Sequence, residues 1–105
     1  MANTDLIEIG NRISKRRKHL GLTQEALAEK MNVSVQMISN LERGNKAIKI
    51  ENLIKISDIL NVSTDYILKG EIIDKDMKSF AESFSRLSDK DYKMIELLIN
   101  YCLDK

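Results

Sequence analysis

The chain of 105 residues has no proline, one cysteine, one histidine, four glycines and only five aromatic residues. A lone Cys102 excludes an internal disulfide framework and fits a reducing cytoplasm. Cys102 and His19 lie far apart, and nothing near either has zinc-ligand spacing. The glycines form no phosphate-cradling loop. No apolar run approaches the ~18 residues a membrane span needs. The start, MANTDLIEIGNR, lacks a basic segment followed by an apolar stretch, so no signal peptide is expected. The acid pairs Asp74/Asp76 and Asp89/Asp91 fall near helix starts and read as dipole partners, since no calcium-binding loop surrounds them. Nothing here supports catalysis, a metal or a cofactor. Missing proline and scarce aromatics, with abundant Leu, Ile, Lys and Glu, point to an all-α fold.

What is present is a modest core and a divided charge. With 43% apolar residues, the chain can form one small domain, or one domain with an appendage. The net charge of +1 conceals an asymmetry: residues 11–50 balance at +6 and residues 51–105 at −3. A basic front and an acidic back suit a polyanionic partner, although small proteins show such bias without one.

Apolar spacing and capping residues outline the helices. Leu6, Ile9, Ile13 and Leu20 form the stripe of a first helix over about Asp5–His19, whose end is crowded by KRRKH and followed by Gly21. Thr23 caps a second helix that ends near Met31, and Leu22 and Leu27 stand at staple spacing around it. Val33, Ser34 and Ile38 repeat the device for a third helix, which ends at Arg43–Gly44. A fourth covers about Glu51–Leu60, and a short fifth runs from Ser63 or Thr64 to Leu68. Residues 1–70 therefore read as one five-helix unit.

Residues 71–105 form a different segment. Met77, Phe80, Phe84 and Leu87 make a narrow stripe. Ser88 with Asp91 resembles a capping box for a last helix over about Asp89–Leu103. That helix carries more apolar surface than one small chain readily buries.

The third helix has an unusual polar face. Ile38 and Leu41 point to the core, leaving Val35, Gln36, Ser39, Asn40 and Arg43 on the outer half. Asn and Gln amides suit bidentate contact with an adenine edge in the major groove, and Val35 suits a thymine methyl. Uncharged readers among Lys and Arg match a division of labour in which phosphate contacts position and base contacts specify. From the helix alone, an ordinary polar face accounts for it as well.

The order of residues adds more. LTQEALAEKMNVSVQMISNLERG resembles the helix-turn-helix of the phage-repressor and Cro-like (XRE) family, through Thr23-Gln24, Leu27-Ala28, Val33-Ser34, Ile38-Ser39 and Leu41-Glu42-Arg43-Gly44. IGNRISKRRKHLG is similar to the family's first helix, and ENLIKISDILNVSTDYIL to its fourth and fifth. The resemblance spans residues 6–69. It implies a five-helix, lambda-repressor-like DNA-binding domain at 1–70, followed by a C-terminal helical hairpin at 71–105. It implies a recognition helix at 34–43 with Val35, Gln36 and Asn40 facing bases in double-stranded DNA and Met37 and Ser39 nearby. Thr23, Gln24, Ser34, Arg43 and Lys46 would hold phosphates, and Arg17 with Glu42 would form an internal salt bridge. The chain departs from the family pattern after Gly44, where Ile48 and Lys49 replace the usual proline and capping residue, predicting a weaker cap. Arg16 stands where relatives often have an apolar residue, and is expected to turn toward DNA or water.

The resemblance implies a cytoplasmic, sequence-specific transcriptional regulator, an autoregulatory repressor binding a palindromic operator as a homodimer. Phe80, Phe84, Tyr92, Ile95, Leu98, Tyr101 and Cys102 are the expected dimer contacts. Cys102 is otherwise expected to be buried and inert. Alternatively, the tail folds over its own chain. A second class of function is a protein-interaction module, such as an antitoxin, whose tail binds a regulatory partner protein.

Overall fold

The computed structural model describes residues 3–104, with side chains from Asp5 onward. The ends of the two segments read above, residues 1, 2 and 105, lie outside the described residues. The described chain is all-helical. In order come α1 (Asn3–His19), α2 (Gln24–Met31), α3 (Val35–Glu42), α4 (Ile50–Leu60), α5 (Thr64–Lys69), α6 (Asp74–Ser83), a 3-10 turn (Phe84–Arg86) and α7 (Asp89–Leu103).

Each early boundary has a local cause. Thr23 accepts a hydrogen bond from the Ala26 N–H (3.0 Å), Ser34 from Met37 (3.1 Å) and Ser63 from Tyr66 (3.0 Å). Each side-chain oxygen satisfies an N–H that has no partner within its helix. Asn32 and Asn61 end α2 and α4 in the left-handed region, at φ 57° and 54°. Asn tolerates that conformation better than most residues. At α4 the N-cap is Lys49, which makes no side-chain capping bond.

Ile9, Ile13, Leu27, Met31, Ile38, Leu53, Ile56, Leu60, Val62 and Ile67 form the core. Between these apolar layers, arginines of α1 satisfy carbonyls at the ends of α4 and α5 and in the α1–α2 loop. Arg12 donates to the Ile67 and Leu68 carbonyls (2.9 and 3.1 Å), Arg16 to Leu60 (2.9 Å) and Arg17 to Leu22 (2.7 Å). A helix C-terminus carries unpaired carbonyls and partial negative charge, so a guanidinium there makes charge-assisted bonds. This corrects the expectation for Arg16. It turns neither to DNA nor to water but is buried, 5.6 Å from the Phe80 ring centroid. Arg12, Arg16 and Arg17 are all engaged inside the fold, so the basic excess of residues 11–50 is only partly a surface charge.

Helix α6 is fastened to the five-helix block by polar contacts. The buried Asp76 carboxylate accepts from the Ser63 N–H and hydroxyl (both 2.6 Å) and from the Ile73 N–H (3.0 Å). Ser79 donates its hydroxyl to the Asn61 carbonyl at 2.6 Å. Asp76 is thus more than a dipole partner; it joins α6 to the start of α5. The buried residues of α6 are Asp76 and Ser79, while Met77 is exposed. The inner face of α6 is mixed: Asp76 and Ser79 meet backbone groups at the α4–α5 turn that need partners, while Phe80 packs on the core. The 3-10 turn at Phe84 also interrupts the stripe that the spacing suggests.

Helix α7 buries no residue completely. It touches the rest of the chain at its start, where Tyr92 meets Phe84 edge-on at 6.4 Å. The radius of gyration, 15.5 Å, exceeds the roughly 13 Å of a compact chain this long, as a projecting helix requires. Among the described residues, no helix is long and apolar enough to cross a membrane.

Candidate nucleic-acid interface

The orientation of α3 is set from behind. Ile38 and Leu41 are buried, which turns the opposite face to solvent. At its last turn, Glu42 accepts from Arg17 Nε (2.6 Å), Arg17 Nη2 (3.0 Å) and Gln24 Nε2 (3.0 Å). Both ionised side chains are nearly buried, at 9% and 6% exposure. Burial pushes the Glu42 carboxyl up, but hydrogen bonds from Arg17 and Gln24 outweigh it and hold the group below its ordinary range. Arg17 is raised, chiefly by its bond to Glu42. This ion pair ties α1, α2 and α3 into one rigid corner.

Gly10 lets α1 approach that corner. A Cβ there would overlap the Leu41 and Glu42 carbonyl oxygens. Asn52, buried on α4, holds Met37 from the other side through an Nδ2–Sδ contact of 3.8 Å. Neither residue was singled out from the sequence. A glycine on the inward face of an amphipathic helix, and an Asn between apolar α4 positions, were the available signals.

The outward face carries Val35 and Gln36, both exposed, with Met37, Ser39 and Asn40 half-buried. These side chains are not independent. Gln36 Nε2 donates to Asn40 Oδ1 (3.2 Å), Arg43 Nη2 donates to the same oxygen (2.8 Å), and Arg43 Nη1 donates to Ser39 Oγ (2.6 Å). Thus Arg43 folds back along α3. Lys46 is exposed beyond it, on the rim of a groove of about 290 Å³ whose lining includes Gln36, Met37, Asn40, Lys49 and Asn52.

The residues expected at phosphates separate into two sets. Thr23, Ser34, Arg43 and Lys46 are exposed, with Thr23 and Ser34 also capping α2 and α3. Gln24 is half-buried and its amide is engaged by Glu42, because a carboxylate in so dry a place draws in a third donor.

The expected dimer contacts also separate. Phe80 packs on its own core, edge-on to Tyr66 at 5.3 Å, and is removed from the outer surface. Ile95 is half-buried near Leu87 and His19. Phe84, Tyr92, Leu98 and Tyr101 are exposed. Cys102 is exposed as well, correcting the expectation of burial: α7 lies against too little of the chain to cover it.

Residues 13–67 match the helix-turn-helix family model. The chain is 35% identical over 91 residues to the HTH-type transcriptional regulator ImmR of Bacillus subtilis, covering 81% of this chain and 72% of ImmR. It is 36% identical over 94 residues to the HTH-type transcriptional regulator DicA of Escherichia coli, covering 90% of this chain and 69% of DicA. Among solved structures, a chain of the SinR–SinI protein complex superposes with a TM-score of 0.57 and 26% identity, covering 92% of this chain and 99% of that one.

Proposed function

Because this chain belongs to the XRE-type helix-turn-helix family of transcriptional regulators, a DNA-binding and non-enzymatic class, we propose that it is an autoregulatory repressor that binds a palindromic operator as a homodimer in the cytoplasm. The observation that carries this reading is the outer face of α3. It presents Val35, Gln36, Ser39 and Asn40 on a helix whose inner face is locked by Ile38, Leu41 and the Arg17–Glu42 pair. Such a helix enters the major groove as a rigid reader, because it loses little conformational freedom on binding.

Val35, Gln36 and Asn40 contact base edges, with Met37 and Ser39 beside them. Thr23, Ser34, Arg43 and Lys46 contact phosphates, and Gln24 supports from behind. Residues 1–70 read DNA, and residues 71–105 join two copies, with α6 as the mount and α7 as the contact. Met94, Leu97, Leu98 and Ile99 are all at least half exposed. Pairing two such helices around a twofold axis removes this surface from water and matches the symmetry of a palindrome.

The test is selection of bound sequences from a random DNA pool at near-physiological salt. The expected result is a palindrome with half-sites about one helical turn apart, bound with a steep salt dependence. Gln36→Ala should relax preference at one position of each half-site. A folded protein that enriches no sequence would refute the reading.

A second reading assigns α7 to a different protein. The supporting observation is the match along nearly the whole chain to a protein solved in complex with another, SinR with SinI. A chain that remains monomeric at high micromolar concentration, and binds no palindrome alone, would favour it.

A further inference from the structure

We propose that Arg43 is a specificity-determining positioning residue: it fixes the Asn40 amide so that Asn40 only donates hydrogen bonds to DNA. This rests on α3 being the recognition helix.

A side-chain amide reads adenine bidentately, because its oxygen accepts from N6 while its nitrogen donates to N7. That requires a free oxygen. The Asn40 oxygen is occupied twice, by Gln36 Nε2 at 3.2 Å and by Arg43 Nη2 at 2.8 Å. A carbonyl oxygen has two lone pairs, so its accepting capacity is filled. The outward group is then the Asn40 amide nitrogen, with both hydrogens uncommitted. Its two hydrogens can meet guanine O6 and N7 together, whereas adenine offers it the N7 acceptor alone. It offers nothing to the amino groups of adenine or cytosine.

The Gln36 amide is in the opposite situation. It uses one N–H on Asn40 and keeps its oxygen and a second N–H. The adenine-type bidentate contact therefore belongs to Gln36 alone. Two amides that look interchangeable in the sequence carry different codes.

Arg43 sets this asymmetry. Its charge-assisted bond to Asn40 is the shorter of the two, and its other arm is held by Ser39 Oγ at 2.6 Å. The spacings of three and four residues put all three side chains on one helix face. The planar, two-armed guanidinium can bridge both partners at once, whereas a lysine ammonium keeps the charge without that fork. Were Arg43 only a phosphate contact, lysine would serve nearly as well.

The experiment compares sequence selection and salt dependence for the wild-type chain, Asn40→Ala and Arg43→Lys. Arg43 is exposed, and matching circular dichroism melts confirm that both variants fold. Asn40→Ala identifies the half-site position that Asn40 reads. The expected wild-type preference there is for guanine over adenine by about tenfold or more, the range of one good base contact. Arg43→Lys should reduce that preference to within about threefold, because the released amide can flip to accept from adenine, while the slope of log affinity against log salt is unchanged. An Arg43→Lys protein that keeps the wild-type preference and merely binds every sequence less well would overturn the inference and leave the recognition-helix reading intact. So would an Asn40→Ala variant that alters no position. A wild-type chain that selects no sequence would overturn both.

Discussion

Replacing Glu42 with alanine tests the corner that orients α3. The carboxylate accepts three hydrogen bonds, from Arg17 Nε at 2.6 Å, Arg17 Nη2 at 3.0 Å and Gln24 Nε2 at 3.0 Å. In Glu42→Ala the Arg17 guanidinium stays largely buried, keeping its bond to the Leu22 carbonyl but losing its counter-charge. Breaking one side of a buried pair costs about 3–5 kcal/mol. Domains of this size are stable by only about 5–15 kcal/mol in total. With a urea slope of about 1–3 kcal/mol per molar, the unfolding midpoint should fall by at least about 1 M. Helical circular dichroism reads this directly. The double variant Arg17→Met, Glu42→Leu should recover much of the loss, since no charge is then stranded. The acid limb adds a check. Glu42 is depressed below its unfolded value of about 4.3, so its contribution is complete above that pH and disappears as pH falls through the lower folded value. The variant should lose that part of the wild-type acid sensitivity. A single variant within about 1 kcal/mol of wild type, or a double variant no better than the single, would refute the reasoning.

Asp76→Asn should destabilise by about 2 kcal/mol or more, because an amide nitrogen then faces the Ser63 and Ile73 donors; hydrogen exchange at Ile73–Met77 should accelerate first. Burial raises the Asp76 carboxyl, but the Ile73 and Ser63 hydrogen bonds hold it below its ordinary range, so the hold on α6 should also weaken in acid as pH falls through that depressed value. Gly10→Ala should cost about 1–3 kcal/mol and weaken operator binding, because the new methyl displaces the end of α3; unchanged melting and binding would show that α1 and α3 adjust freely. Leu98→Glu, on the exposed face of α7, should leave helicity unchanged and shift sedimentation toward monomer; an unaltered dimer would place the contact elsewhere.

Much of this was legible residue by residue. Thr23 and Ser34 act as caps because capping chemistry depends on a few neighbouring atoms. Ile9, Ile13, Ile38 and Ile56 are buried because helical period selects one face. The tail was less legible. Its stripe of Met77, Phe80, Phe84 and Leu87 implied a continuous apolar face, but part of the docking surface offers backbone polar groups, so Asp76 and Ser79 turn inward beside Phe80 while Met77 and Phe84 stay exposed. The basic excess was also ambiguous, because an arginine that ends a neighbouring helix and one that meets phosphate look alike in a sequence.

The sequence by itself determined the first five helices, the Thr23 and Ser34 caps, the apolar faces of that block and the family pattern, all of which arise from interactions within about one helical turn or from an ordered motif. Only the tertiary structure decided which polar groups meet across the chain: Arg16 on the Leu60 carbonyl, Gln24 on Glu42, Asp76 on Ser63. These partners are distant along the chain. Their pairing follows from which donors and acceptors are left in a dry place once the apolar faces have closed, because leaving a buried polar group unpaired is costly.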